Sequence, residues 1–179
     1  MPLREQPDCY RHVVGLRAVR RFQAAAIPDD DVVAILEAGR WTGSARNRQA
    51  WAFVVMSGPD EVARLAEAGL PGSPLTRAPL AIALVQLPNG NDFDMGRAAQ
   101  NMMLAAGARG IGSCPVTLRN QQLAADVLQL PEGYMARRAI AFGFPDDQAE
   151  AVDRAERRAG GGAGRRPLER LVHYGRLRD

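Results

Sequence analysis

The chain has 179 residues, 46% of them hydrophobic and 24% charged, the size and balance of one globular domain with an ordinary core. Its formal charge is +3, and all 23 cations are arginine. The lack of lysine excludes a Schiff-base enzyme and a Gly-Lys-Ser/Thr phosphate loop, so a bound anion must be held by arginine, hydroxyls or backbone N–H groups.

Cys9 and Cys114 are the only cysteines, His12 and His173 the only histidines. So few soft ligands, so far apart, give no expectation of a metal site or a disulfide framework. No Gly-x-Ser-x-Gly elbow is present, which argues against a nucleophilic triad. No signal segment opens the chain and no apolar run nears the roughly 20 residues of a membrane span. Cytoplasm, with no membrane partner, is the expected setting.

Residues 8–16 predict a short helix begun by Asp8. The basic segment 17–22, Arg-Ala-Val-Arg-Arg-Phe, follows, with Val19 and Phe22 as apolar anchors. Pro28 suits the first turn of the next helix, and Asp29, Asp30 and Asp31 complement its dipole. Val32, Ile35, Leu36 and Gly39 share one face of it. A polar loop then leads to the apolar run 51–56, which reads as a buried strand. This loop is too rich in hydrogen-bonding side chains for a plain connector, and is a candidate ligand site.

Residues 57–61 turn and cap a helix with Val62, Leu65 and Ala66 inward, and 80–87 is a second buried strand. The helix 93–108 is the most apolar, with Met95, Ala98, Ala99, Met102, Met103 and Ala106 in one stripe, as in a core or a subunit interface. Gly107, Gly110 and Gly112 lead from helix to strand 113–117. That order reverses a Rossmann fingerprint, which is therefore rejected. A helix over 120–128 and a strand over 138–144 follow. Residues 146–164, charged and then glycine-rich, read as a mobile linker, and 165–179 as an apolar arm that should dock on something. Strands alternating with helices give an α/β or α+β domain.

Five blocks carry a family resemblance. Segment 17–22 is similar to Arg-Arg-Ser-x-Arg-x-Phe, and 43–51, Gly-Ser-Ala-Arg-Asn-Arg-Gln-Ala-Trp, to Pro-Ser-x-x-Asn-x-Gln-Pro-Trp. Residues 94–101, 110–114 and 165–174 follow in order. Together they resemble the FMN-dependent nitroreductase family along nearly the whole chain. The resemblance implies an α+β fold, with a central, mainly antiparallel sheet flanked by helices. It also implies an intertwined homodimer whose carboxy-terminal arm crosses to the partner.

By the same resemblance Arg17, Ala18 and Arg20 meet FMN, with Arg17 at the phosphate or ribityl chain and Arg20 by the N1–O2 edge of the ring. Gly43, Ser44 and Asn47 belong to the loop that covers the flavin of the partner subunit. Pro115, Val116 and Thr117 run along the flavin with their backbone, and Arg165 pairs with phosphate. The implied chemistry is hydride transfer from NAD(P)H through flavin to a nitroaromatic, quinone or similar small acceptor, with no protein acid–base pair required. Leu16, Ala18 and Ala163 stand where the family pattern carries two cations and a serine, which predicts weaker hold on FMN. Two alternatives stay open: a flavin- or nucleotide-binding protein with little turnover, and an arginine-rich nucleic-acid binder. The second is disfavoured by dispersed charge and 6% aromatic content, so no nucleic-acid partner is expected.

Overall fold

The computed structural model of the chain describes residues 8–159 and 164–177. Within them the elements run α1 (Asp8–Gly15), α2 (Asp29–Arg40), β1 (Trp51–Met56), α3 (Pro59–Glu67), β2 (Leu80–Gln86), α4 (Asp92–Ala108), β3 (Gly112–Thr117), α5 (Gln121–Leu128), β4 (Met135–Gly143) and α6 (Asp147–Ala159). The strands form one sheet in the order β1-β2-β4-β3, each pair antiparallel. The fold is α+β.

The alternation of side chains along β2 divides the core in two. Ala81, Ala83 and Val85 pack with Val62 and Leu65 of α3 and Ala124 of α5. Leu80, Ile82 and Leu84 face the other way, against Ile35 of α2 and Met95, Ala99 and Met102 of α4. Helices cover both faces of the sheet, so β2 is buried from Leu80 to Val85 and reads as a continuous apolar run. Asn91 and Asn120 cap α4 and α5, accepting the N–H of Asp94 and Leu123.

β1 departs from its reading as a buried strand. It is an edge strand, paired on one side only, and Val55 is 39% exposed. The other edge, β3, contains Pro115, which a central strand would not tolerate because proline lacks the ladder N–H.

The stretch 146–164 departs further: over Asp147–Ala159 it is helix α6, not a linker. Its density of charge suggested solvated coil, but the charges fall at helical spacing. Asp146 accepts the N–H of Ala149, and Glu150 with Arg154 and Asp153 with Arg157 are i, i+4 pairs. The buried Glu150 docks the helix on the domain. Of the remaining expected linker, residues 160–163 lie outside the described residues, as does Ala163 among the departures from the family pattern.

Candidate functional site

The basic segment 17–22 is laid across the ends of β3 and β4. Val19 donates its N–H to the Ser113 carbonyl at 2.9 Å, and Gln23 to that of Phe144 at 2.9 Å. Ala18 bridges in parallel to Ser113, and Phe22 to Pro145. The seat is made by two glycines that face each other across the β3–β4 ladder, Gly112 and Gly143. A Cβ at Gly112 would come within 2.8 Å of Val19, and one at Gly143 within 2.8 Å of Phe22. The two apolar anchors therefore sit where the strands carry no side chain.

Beside this segment lies a cavity of about 600 Å³. Val13, Val14 and Leu16 supply one apolar wall and Met103 of α4 another, with Gln100 one turn earlier. Ser113 and Pro115 of β3 line it as well, and Arg17, Ala18 and Arg165 complete it. Arg17 donates to backbone, to the carbonyls of Val14 and Leu16 at 2.7 and 2.8 Å. Among the described residues neither Arg17 nor Arg165 has a carboxylate partner. Two unneutralised guanidinium groups from opposite ends of the chain thus share one hollow. A second hollow of about 330 Å³ adjoins it through Pro115 and runs along Met95, Gly96 and Ala99 of α4 toward Arg137 and Arg138.

Of the expected site residues, the cavity gathers Arg17, Ala18, Pro115 and Arg165. Along β3 the side chains alternate: Pro115 and Thr117 face outward, while Val116 is 6% exposed and belongs to the core, so only its backbone can serve a ligand. Arg20 does not line the cavity. Its N–H is donated to Glu150 at 2.8 Å. Burial pushes the neighbouring Cys114 thiol up, and the charge of Arg20 works against that shift.

Gly43, Ser44 and Asn47 do not line the cavity; they belong to a loop tied to α4 through the Gly43 carbonyl and the Ala45 N–H. Ser44 Oγ accepts the Gln49 N–H at 2.9 Å and Asn47 Oδ1 accepts from Gln49 Nε2 at 3.0 Å. Arg46, Asn47 and Gln49 all have positive φ, of 55°, 53° and 49°. For non-glycine residues that conformation carries a strain of order 1–3 kcal/mol, least for asparagine, which tolerates it, and the bonds of Gln49 to Ser44 and Asn47 span the stretch. Sequence reasoning missed Ser113, Gln100 and Glu150. The alternation along β3 signals Ser113, and the i, i+3 pair Glu150 and Asp153 signals an α6 face turned to the domain.

Helices on both faces of one antiparallel sheet make this a three-layered α+β domain, with an arginine-lined cavity beside segment 17–22. The sequence model of the Nitroreductase family matches residues 14–87 and 75–144, and the chain belongs to that family. A relative from Archaeoglobus fulgidus, named as an NADH dehydrogenase/NAD(P)H nitroreductase, is 27% identical over 161 residues, 84% of this chain and 92% of its own. Among solved structures, the FMN-dependent nitroreductase of Clostridium difficile R20291 superimposes with a TM-score of 0.77 at 21% identity, over 94% of this chain and 99% of the other. The NADPH:FMN oxidoreductase of Vibrio harveyi complexed with NAD+ gives 0.82 at 21% identity, over 97% of this chain and 79% of the other.

Proposed function

We propose that the protein is an FMN-dependent oxidoreductase that takes hydride from NAD(P)H and passes it to a nitroaromatic, quinone or similar small acceptor. The observation that carries the reading is the pairing of Arg17 and Arg165 in one cavity with no carboxylate partner among the described residues. The donor set fits FMN: two guanidinium groups suit a phosphate, the apolar surfaces of Val13, Leu16 and Met103 suit a flat ring, and the volume lies in the range of cofactor sites. FMN, when bound, supplies hydride acceptance and donation at N5.

The chain's own residues position and bias that chemistry. Arg17 and Arg165 hold the phosphate end. Arg20 does not line the cavity itself; by the family resemblance its side chain, with no carboxylate partner among the described residues, is assigned to offer positive charge to a ring edge that gains negative charge on reduction. Pro115 gives a rigid outward surface on β3, and the apolar wall from α1 and α4 keeps water from the ring.

The protein acts as a homodimer in this reading. Leu168, Tyr174 and Leu177 of the arm are 70, 83 and 79% exposed on their own chain, and a second copy is the cover we assign to them. The loop at Gly43, Ser44 and Asn47, tied to α4 and outside the lining of its own cavity, then serves the cavity of the partner subunit.

The test is an anaerobic titration of the FMN-loaded protein with NADH and with NADPH. Bleaching of the flavin band near about 450 nm by either is expected. A protein that binds no FMN, or whose bound FMN neither nucleotide reduces, removes the reading.

A further inference from the structure

Glu150 is the most deeply buried charged residue among those described, at 3% exposure. One carboxylate oxygen, Oε2, accepts two consecutive backbone N–H groups, those of Arg20 at 2.8 Å and Arg21 at 3.1 Å. The other, Oε1, accepts from Arg157 Nη2 at 2.9 Å, with Arg154 at 3.8 Å. One turn on, Asp153 takes the Arg21 guanidinium in a fork, from Nε at 2.7 Å and Nη2 at 2.8 Å. Helix α6 thus holds Arg21 by both main chain and side chain. It holds Arg20 by main chain alone.

That asymmetry is the informative feature. A carboxylate placed only to anchor α6 could pair with either guanidinium. Here Glu150 draws its counter-charge from Arg157 and Arg154 on its own helix, and spends its second oxygen on the amides. Among the described residues the Arg20 guanidinium pairs with no carboxylate, while its backbone is pinned at the start of the side chain. Buried carboxylates that accept backbone N–H groups make strong, geometrically defined bonds. Their loss leaves two enclosed donors without a partner.

We propose that Glu150 is a positioning residue for the flavin reaction: through the amide of Arg20 it fixes where that residue's positive charge stands, and so sets the ease of flavin reduction. Asp153 is the internal contrast, since it holds α6 to Arg21 without touching Arg20. The inference rests on the placement of Arg20 at the flavin given under Proposed function, and the experiment separates the two.

The FMN-loaded dimer is prepared as wild type, Glu150→Gln, Glu150→Asp, Asp153→Asn and Arg20→Gln. For each, the midpoint potential of the flavin and the rate of its reduction by NADH are measured, with amide hydrogen exchange at Arg20 and Arg21 in cofactor-free protein. Gln at 150 offers one acceptor and adds a donor, and Asp falls one methylene short. Both are expected to expose the two amides to faster exchange and to make the potential more negative. Reduction should slow roughly tenfold, the loss of about one charged hydrogen bond. Asp153→Asn should lower thermal stability and leave the potential unchanged. If Glu150→Gln does not fold, Glu150→Asp decides alone. Unchanged amide exchange, or a potential that moves no more in the Glu150 variants than in Asp153→Asn, overturns the inference. Should Arg20→Gln itself leave the potential unmoved, the placement of Arg20 fails and the inference with it.

Discussion

Arg97 of α4 donates from Nη1 to the Gly43 carbonyl at 2.7 Å, across 54 positions of sequence. It is the middle of three such ties. Asp94 Oδ2 accepts the Ala45 N–H at 3.2 Å, and Asn101 donates to Thr42 Oγ1 at 2.8 Å. Positions 94, 97 and 101 stand on one face of a helix, so that face of α4 grips the loop at residues 45, 43 and 42 in turn. Arg97→Ala removes one exposed bond, of about 0.5–1.5 kcal/mol. FMN affinity of the dimer should fall about 2- to 12-fold, read by fluorescence quenching. In a hybrid dimer with one Arg97→Ala subunit, one of the two sites should weaken; both sites unaffected in the homodimeric variant would separate the loop from the flavin.

The two cavity arginines give a sharper expectation. Arg17→Ala or Arg165→Ala removes one charged donor to phosphate, about 1.5–3 kcal/mol, and should weaken FMN about 10- to 150-fold. Riboflavin, which lacks the phosphate, should lose far less. Arg166→Ala is the control, because Arg166 Nη2 donates to the Arg170 carbonyl and does not line the cavity. Equal losses for FMN and riboflavin would place the phosphate elsewhere.

What the sequence disclosed and what it hid follow one rule. Elements with a hydrophobic period were legible: the stripe Met95, Ala98, Ala99, Met102 and Ala106 is buried in α4, and the run from Leu80 is β2. Arg17, Ala18, Pro115 and Arg165, drawn from three distant stretches, meet at one cavity. β1 was misread because apolar content reports hydrophobicity and not the number of neighbouring strands. α6 was misread because its folding signal is electrostatic: it rests on Glu150 reaching Arg20 and Arg21 about 130 positions earlier, which no local pattern encodes. Periodicity sees the face of an element, never its partner.

The attachment of α6 should depend on pH in the acid range. The hydrogen bond and charge of Arg21 hold the Asp153 carboxyl below its ordinary value. A group with depressed folded-state pKa contributes stability that is complete above its unfolded value of about 3.9 and lost as pH falls through the lower, folded value. The difference in melting temperature between wild type and Asp153→Asn should therefore be constant near neutrality and shrink as pH drops below about 4. A difference that held constant into strong acid would mean that the pair contributes nothing through its charge.

The seat of the basic segment offers the last test, because it joins packing to ligand binding. Gly112 stands so close to Val19 that an added Cβ would lie 2.8 Å from its Cβ and Cγ1. Val19 cannot retreat freely, since its N–H is bound to the Ser113 carbonyl. Gly112→Ala should cost about 1–3 kcal/mol of stability as an overpacked contact, measured by urea unfolding. It should also weaken FMN, since Arg17 and Ala18 precede Val19 and line the cavity. Gly96→Ala, where nothing lies within 4 Å, is the contrasting change. In the second turn of α4 it should stabilise by about 0.5–1 kcal/mol. The decisive variant is Gly112→Ala combined with Val19→Ala, which trims the side chain that the new methyl meets. If sterics at this seat set the position of Arg17, the double variant regains FMN affinity relative to Gly112→Ala alone, even though it gives up apolar burial. Should affinity fall further in the double variant, the seat is a matter of stability only, and the cavity does not depend on how segment 17–22 is laid across the sheet.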